Sequence, residues 1–398
     1  MKTYNSLQLA GVHLVMGEGA CETTAGLLWD AGVQKPMIIT DTGVKNNGLL
    51  KHIEKNLTEN GMDYEIFDQV QSDPDDMICR KAVEDIRKSE CDGVIAVGGG
   101  SVMDSAKAAK VLVNNEGDLF DYDNSPTGGK KFRNRGIYTV CVPTTSGTGS
   151  EVTPYVIITN PKEERKATIN SSYLLADAAI LDPCLTEHMP PAITAGTGMD
   201  ALAHAIGGYT SGRSVFAGGT TLLSDALELK AIELIGENLR ECVRHGSNRQ
   251  ARLNMMMASM IGGIVISVGG DAGHGLGHAL GSIYHIPHGF ACAMVLPAVM
   301  EYNYPACPEK FADISKALGT DISKMTEEEA AASSVEAVRN LMNDIGIPKL
   351  SEYLDAVEGE RFEKMCEVAE QEKCSKINLR EITKEVAREL YVKTYGKN

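Results

Sequence analysis

The sequence lacks several features that would assign it to particular classes of protein. Its ten cysteines form no CxxC pair, and several lie in apolar surroundings, as Cys141 does in YTVCVP. Scattered cysteines of this kind are typical of buried side chains in a reducing compartment, so we expect a cytoplasmic protein without a disulfide framework. No run of about 18 apolar residues occurs, which argues against a membrane-spanning helix. Glu18 and His13 lie close to the only apolar run near the N-terminus, which argues against a signal peptide.

Positive charge is also scarce. The chain has 38 Lys and Arg against 54 Asp and Glu, a net charge of −16, which argues against nucleic acid or an anionic membrane as a partner. Internal repeats and low-complexity linkers are missing. The 398 residues, 43% of them hydrophobic and 23% charged, are sufficient for two globular domains.

Histidine, in contrast, is concentrated in one stretch. Four of the nine histidines lie in GGDAGHGLGHALGSIYHIPHG, residues 269–289. His274 and His278 are four residues apart and would share one face of a helix. Pro287 prevents a helix immediately before His288, so we expect imidazoles from a helix and from the loop after it.

A second stretch supplies a carboxylate. Asp200 and His204, in GTGMDALAHAIGGY, are again four residues apart on one predicted helical face. A carboxylate with several imidazoles suits a divalent metal such as Fe²⁺ or Zn²⁺. Either pair alone could be an ordinary surface or core feature, but two pairs and a Pro-His-Gly loop together favour a metal site.

The first half of the chain alternates strand and helix signals. Residues 37–40 predict a buried strand ending at Asp41, YEIFDQV predicts another, and residues 94–97 predict a third that runs into glycines. Amphipathic helical segments separate them. This alternation predicts a parallel, doubly wound sheet.

Two loops in this half have the composition of phosphate-binding turns. In the first, Gly98, Gly99 and Gly100 precede a predicted helix in which Ser101 and Asp104 have the spacing of a capping box, with Ser101 as the N-cap. The second loop, VPTTSGTGSEVT, offers hydroxyl groups from Thr144, Thr145 and Thr148. The first loop alone could be a plain strand–turn–helix joint, but both together favour a dinucleotide crevice.

These stretches resemble the signatures of the iron-containing (group III) alcohol dehydrogenases, over nearly the whole chain. In that family one Asp and three His hold the metal. The resemblance implies Asp200, His204, His274 and His288 as ligands of Fe²⁺, with Zn²⁺ or another divalent metal possible. His278 matches a family histidine beside the nicotinamide. We also expect a homodimer or higher homo-oligomer.

The cofactor residues follow the family's order, in which the acid precedes the glycines. Asp41 matches an acid that contacts the adenosine ribose, and a carboxylate there favours NAD over NADP; it could also be a turn acid without a ligand. Lys166 matches a lysine that contacts the nicotinamide ribose, although EERK also reads as a solvated charge run. Asp73 matches a residue of the adenine-side loop.

The predicted fold class is an α/β N-terminal dinucleotide-binding domain, a parallel sheet flanked by helices, followed by an all-α C-terminal metal-binding domain. We place these domains at residues 1–189 and 190–398, because strand signals fade from about Pro190. The cleft between two such domains is the expected active site. There the metal would lower the pKa of an alcohol and polarise an aldehyde, the nicotinamide would carry the hydride, and His278 would relay the proton or support a neighbour.

The substrate is predicted least sharply. Gly207 stands where many members have Glu, and Tyr155, Arg213 and Asp271 could add polarity to the pocket. We therefore expect a small polar primary alcohol and its aldehyde, of the diol, hydroxy-acid or sulfo-aldehyde type; His285 receives no role beyond the surface. Alternatives are a glycerol dehydrogenase-like polyol oxidoreductase, a dehydroquinate synthase-like lyase and a non-catalytic metal-binding protein of the same fold.

Overall fold

The computed structural model describes residues 11–123, 129–161, 165–211, 220–266 and 269–397 of the chain. The described residues divide into an α/β unit, 11–145 and 149–187, and a helical unit, 146–148 and 188–397. The sequence-based boundary between residues 189 and 190 had left residues 146–148 with the first domain. These three residues belong to VPTTSGTGSEVT, the second of the two predicted phosphate-binding loops.

The α/β unit alternates strands and helices as far as the fifth strand. Its strands are β1 (His13–Met16), β2 (Pro36–Asp41), β3 (Glu65–Val70), β4 (Gly93–Gly98), β5 (Tyr138–Pro143), β6 (Tyr155–Asn160), β7 (Arg165–Asn170) and β8 (Ala178–Leu181). Its helices are α1 (Thr24–Asp30), α2 (Thr42–Asn46), α3 (Lys51–Glu59), α4 (Asp76–Lys88) and α5 (Gly100–Leu112). Short 3₁₀ helices follow Gly19, Asp118, Gly149, Ser171 and Asp182.

The main sheet of this unit is parallel, with strand order β1-β8-β5-β4-β2-β3 among the described residues. The predicted parallel sheet flanked by helices is thus confirmed. Strands β6 and β7 form a separate two-stranded antiparallel sheet, which the sequence analysis did not predict.

Both faces of the sheet are buried, which explains why its strands read as continuous apolar runs. Successive side chains of a strand point to opposite faces. One apolar cluster contains Met37, Ile39, Val94 and Ala96, and a second contains Ile38, Ile95 and Val97. The strand β4 is buried throughout and ends at the first glycine of the glycine-rich turn, so the core fixes where that turn begins.

The helical unit contains no strand among its described residues, which confirms the predicted all-α C-terminal half. Its helices are α6 (Pro191–Thr210), α7 (Leu222–Arg244), α8 (Arg249–Val265), α9 (Ala272–Tyr284), α10 (His288–Asn303), α11 (Pro308–Ala317), α12 (Glu327–Ile345), α13 (Glu360–Gln371), α14 (Lys373–Lys376) and α15 (Lys384–Lys397). Helix α10 packs against both α6 and α9. None of the helices in the described part of the chain is long and apolar enough to cross a bilayer.

Candidate metal centre and cofactor loops

Three helices of the helical unit carry the predicted metal ligands. Asp200 and His204 lie one turn apart on α6, and His274 and His278 lie one turn apart on α9. His288 is the first residue of α10, rather than part of a loop as the sequence suggested. Pro287 is the N-cap of that helix, a position at which the missing N–H costs little because the first N–H groups have no helical acceptor.

The side chains of these three helices converge on Asp200. Its Oδ1 lies 3.2 Å from Nε2 of His288 and 3.5 Å from Nε2 of His274. The ring of His204 stacks on that of His274, with 4.3 Å between the ring centres. The predicted carboxylate and imidazoles are therefore brought together in one cluster.

Two atoms of this cluster are left without an ordinary partner. Asp200 Oδ1 and His274 Nε2 are buried and make no hydrogen bond within the described structure. Leaving a buried polar atom unpaired costs on the order of 1–3 kcal/mol. A divalent cation between the two atoms would satisfy both, and a carboxylate with imidazoles is a donor set that such ions accept. The residues present thus fit the predicted metal.

Electrostatics within the cluster match that chemistry at three of the four proposed ligands. Burial disfavours the ionised Asp200, but His288 and His204 outweigh it and hold the pKa of that carboxyl well below its usual range. Burial, assisted by His204, lowers the pKa of His274 to about 3, and burial also lowers the pKa of His204. A metal ion requires an ionised carboxylate and neutral imidazoles, and the pKa shifts favour these forms at Asp200, His204 and His274. The pKa of His288 is instead raised well above its usual value by Cys292 and Asp200, so this ring must lose a proton before it can bind the ion.

His278 lies beside the cluster and has a partner that the sequence did not reveal. Its ring faces that of His288 at 5.3 Å between ring centres, and its Nδ1 lies 3.2 Å from Oε2 of Glu372. Glu372 follows α13 and is 94 residues further along the chain. A carboxylate can only accept a hydrogen bond, so the contact favours a proton on Nδ1 of His278.

The glycine-rich turn of the α/β unit begins where it was predicted, but its cap differs. Gly98 ends β4, Gly99 is the N-cap in an extended conformation, and α5 begins at Gly100. Ser101 therefore lies inside the helix and is not the N-cap. The capping box fails because Asp104 uses its carboxylate elsewhere.

Asp104 connects α5 to the segment after the second loop. It accepts hydrogen bonds from Oγ of Ser150 at 2.5 Å and from N of Ile157 at 2.9 Å, and it lies 3.1 Å from Nζ of Lys107. Lys107, itself fully buried, also donates to Ser150. These bonds fix the end of the threonine-rich loop against the helix that starts at the glycines.

The remaining predicted cofactor residues lie at strand ends of the same unit. Asp41 is the last residue of β2, and its Oδ1 accepts from N of Val44 at 2.8 Å as the N-cap of α2. The backbone of Thr144 donates to the carbonyl of Gly98. The side chain of Thr145 approaches Gly99, where a Cβ would lie 3.5 Å from its hydroxyl. Thr148 belongs to the segment grouped with the helical unit.

Lys166 pairs with Asp73, the residue that the family resemblance assigned to the adenine-side loop. Its Nζ lies 2.5 Å from Oδ1 of Asp73, and both side chains are more than half exposed. A pair this exposed contributes little to stability. Both charged groups are accessible to a ligand.

Comparisons with known proteins agree with this arrangement. Residues 12–183 match the family model for iron-containing alcohol dehydrogenase, and residues 194–395 match its C-terminal family model. The chain belongs to the iron-containing alcohol dehydrogenase family. Membership makes it an oxidoreductase of alcohols and aldehydes, and confirms the family that the motifs resembled.

Several members of the family are similar to the chain over most of its length. A choline dehydrogenase of Bacillus subtilis (strain 168) is 38% identical over 353 residues, 88% of this chain and 86% of the relative. A 1,3-propanediol dehydrogenase of Citrobacter freundii is 38% identical over 342 residues, 85% of each chain. The crystal structure of a sulfoacetaldehyde reductase from Bifidobacterium kashiwanohense in complex with NAD⁺ superposes with a TM-score of 0.87 at 27% identity, covering all of both chains.

The structure explains some of the positions at which the chain departs from the common family pattern. Asp271 is buried as the N-cap of α9, where it accepts from N of Gly273 at 2.8 Å, and burial raises its pKa to about 6. A Cβ on Gly207 would lie 3.1 Å from Cγ of Asp271, so the glycine makes room for this cap. Tyr155 begins β6 and is half-buried. Arg213 lies outside the described residues.

Two residues of the centre were missed at the sequence level, namely Glu372 and Cys292. The position of Cys292, four residues after His288, is the same helical spacing that identified the other pairs, but the residue was counted among the buried cysteines. His285 caps the end of α9 with a positive φ and is exposed, as expected for a surface residue.

Proposed function

We propose that this iron-type dehydrogenase uses NAD(H) to interconvert a small polar primary alcohol and its aldehyde. The observation that carries the proposal is the pair of unpartnered buried atoms, Asp200 Oδ1 and His274 Nε2, 3.5 Å apart where three helices meet. In this proposal the ligands of the iron are Asp200, His204, His274 and His288. The ion supplies Lewis-acid chemistry, which lowers the pKa of an alcohol and polarises an aldehyde.

His278 moves the proton that the reaction releases. With Nδ1–H donated to Glu372, its Nε2 is an acceptor that can take a proton through a ribose hydroxyl or a water molecule. Glu372 is a positioning residue, because it holds the ring of His278 without contacting the substrate.

The α/β unit binds the dinucleotide, a role supported by the NAD⁺ complex of the sulfoacetaldehyde reductase. The N-terminus of α5 offers its free N–H groups to the pyrophosphate. Asp41, whose Oδ1 is committed to the cap of α2, presents its carboxylate to the adenosine ribose and disfavours a 2′-phosphate. The other contacting residues in this proposal are Gly98, Gly99, Gly100, Ser101, Thr144, Thr145, Thr148 and Lys166. Asp104 acts indirectly, by fixing the loop.

The substrate carries a second polar group in this proposal. The support comes from relatives named for choline, 1,3-propanediol and sulfoacetaldehyde, all of which have one. Asp271 no longer contributes to the argument, because its carboxylate caps a helix. Tyr155 and Arg213 remain candidates for contact.

We further propose a cytoplasmic homo-oligomer without nucleic-acid or membrane partners. Eight of the ten cysteines are buried thiols, as in proteins of reducing compartments. The net charge of −16 disfavours binding to polyanions. Size-exclusion chromatography with light scattering would test the assembly, and a monomer would remove that part of the proposal.

The experiment is a reductase assay coupled to metal analysis. Protein loaded with Fe²⁺ or Zn²⁺ is mixed with NADH and propanal, lactaldehyde, 3-hydroxypropanal, succinic semialdehyde or sulfoacetaldehyde, and the absorbance of NADH is followed. We expect a polar aldehyde to exceed propanal by roughly tenfold or more in kcat/KM, because propanal leaves a polar group of the pocket unpaired. A higher kcat/KM for propanal than for the polar aldehydes would contradict the proposal of a polar substrate.

The same assay on His288→Ala tests the centre. Metal content and activity should fall together, because three protein ligands hold the ion less tightly than four. The matched control is His285→Asn, which changes an exposed histidine of the same segment to a residue that tolerates positive φ; it should keep both. Full metal occupancy in His288→Ala would remove His288 from the ligand set.

A further inference from the structure

A thiol lies within the candidate metal centre. Cys292 is on α10, four residues after His288, so the two side chains share one face of the helix. Its Sγ is 3.8 Å from both ring nitrogens of His288. The facing residue on α9 is Gly277, where a Cβ would lie only 2.7 Å from Sγ of Cys292. Glycine at this position makes the space that the sulfur occupies.

The sulfur is placed as a metal ligand would be. One possible ligand atom from each of Asp200, His274, His288 and Cys292 lies within 4.8 Å of all the others. The group does not include His204, whose ring stacks on His274. Bonds of about 2.3 Å to sulfur and 2.1 Å to nitrogen that meet at an angle of about 110° separate the two ligand atoms by roughly 3.6 Å, close to the observed 3.8 Å between Cys292 and His288.

An independent observation points to the same spot. Asp200 Oδ1 and His274 Nε2, both buried and without a hydrogen-bond partner in the described structure, belong to the same four-membered group as the thiol. The sulfur thus belongs to the same group of possible ligand atoms, and it is not an isolated buried cysteine.

We propose that Cys292 is a further protein ligand of the metal, which gives the centre a preference for thiophilic ions such as Zn²⁺ and Co²⁺ over Mn²⁺. The inference rests on the proposed metal centre and adds a ligand to it. On binding, the metal–sulfur bond forms as the S–H bond breaks, and the proton leaves to solvent. Thiolate is a soft ligand, so its presence changes which ion is held most tightly.

Burial raises the pKa of Cys292, although His288 works in the opposite direction. A protonated buried thiol is a poor nucleophile and a poor target for oxidation.

The test uses Co²⁺, whose electronic spectrum reports sulfur coordination. Metal-free protein is titrated with Co²⁺, and the bound metal is counted by elemental analysis. Wild type should bind one Co²⁺ with an intense thiolate-to-cobalt charge-transfer band in the near ultraviolet. Cys292→Ser should lose that band, and its affinity for Zn²⁺ relative to Mn²⁺ should fall by at least about tenfold. The control Cys366→Ser changes a buried cysteine of the core formed around Phe362 and Tyr391 and should keep the band.

A measurement on the unaltered protein covers the case in which Cys292→Ser fails to fold. X-ray absorption of the Zn²⁺-loaded wild type should contain a sulfur shell at about 2.3 Å. One bound metal without a charge-transfer band or sulfur shell would overturn the role of Cys292 and leave the Asp/His centre intact. Failure of the wild type to bind any divalent metal would overturn the proposed centre and this inference together.

Discussion

Glu151 is a buried carboxyl whose raised pKa should make the stability of the folded chain depend on pH. It lies in the 3₁₀ helix Ser150–Val152, immediately after the threonine-rich loop, and is 2% exposed. Burial raises its pKa from 4.5 to about 7, while the charge of Lys107 works in the opposite direction. A backbone hydrogen bond of Glu151 also lowers the pKa, and the Nζ of Lys107 is itself engaged by Asp104 and Ser150. Glu151→Gln would keep the shape of the side chain and remove its titration.

The sign and size of the effect follow from linkage. The folded state holds the proton of Glu151 more tightly than the unfolded state, so this contribution to stability is fully present below pH 4.5 and is lost as the pH rises to about 7. At about 1.4 kcal/mol for each pH unit, the loss across that window is about 3 kcal/mol. The Glu151→Gln variant does not lose stability in this way, because glutamine does not ionise. The variant should therefore gain stability relative to wild type between pH 4.5 and 7, with a constant difference above that range.

The assay is urea unfolding of both proteins at several pH values from about 5 to 8, followed by tryptophan fluorescence. The only tryptophan, Trp29, lies on α1 in the same unit as Glu151, so its emission reports the relevant unfolding. Glu84→Gln, at an exposed position of α4, is the control and should follow wild type at every pH. Parallel stability curves for wild type and Glu151→Gln would refute the reasoning, because they would mean that Glu151 titrates alike in the folded and unfolded chains.

Three further predictions concern the cofactor, the proton and the metal. Asp41→Asn keeps an acceptor for the cap of α2 but removes the charge, so kcat/KM with NADP(H) should rise at least about tenfold relative to NAD(H); a wild type that already prefers NADP(H) would contradict the ribose contact. Glu372→Ala should lower kcat about fivefold with little change in the KM for NAD(H), while Glu372→Gln, which keeps an acceptor for His278, should recover most of it. An equal loss in both variants would mean that the charge matters more than the hydrogen bond. Chelation should lower the unfolding free energy by about 3 kcal/mol for metal present at a hundred times its Kd, and His288→Ala should show no such change.

The parts of the centre that the sequence predicted are those built on a helical repeat. The spacing of Asp200 and His204, and of His274 and His278, is a local property that survives folding, and both pairs lie on helices as expected. The same spacing separates Cys292 from His288. That spacing alone does not identify Cys292 as a ligand, because a cysteine in an apolar segment is more often a buried hydrophobe.

The misassigned residues are those whose partners are distant in sequence. Ser101 and Asp104 have the spacing of a capping box, but Asp104 bonds to Ser150 and Ile157, about fifty residues away, and Gly99 takes the N-cap. Nothing local to Asp104 indicates those partners. Glu372 is similarly linked to His278 only by the packing of α9 against the end of α13.

Asp271 has a structural role that was visible locally but was not predicted. An Asp directly before a helix that begins with small residues is a favoured N-cap, and its carboxylate accepts from N of Gly273. Viewing it as a departure from a family pattern suggested substrate contact, whereas its chemistry within the chain indicated a cap. The space beside it is provided by Gly207.

Two buried carboxyls of the helical unit show why the histidines matter beyond coordination. Burial raises the pKa of Glu228 well above its usual value, and neither of its carboxyl oxygens has a hydrogen-bond partner among the described residues. Asp200 is equally buried, yet its pKa is lowered, because His288 and His204 lie beside it. In the proposed centre the imidazoles would therefore act in two ways, as ligands of the ion and, before the ion binds, as groups that favour the ionised form of Asp200. Removing one should weaken metal binding by more than a single bond, since the remaining carboxylate becomes easier to protonate.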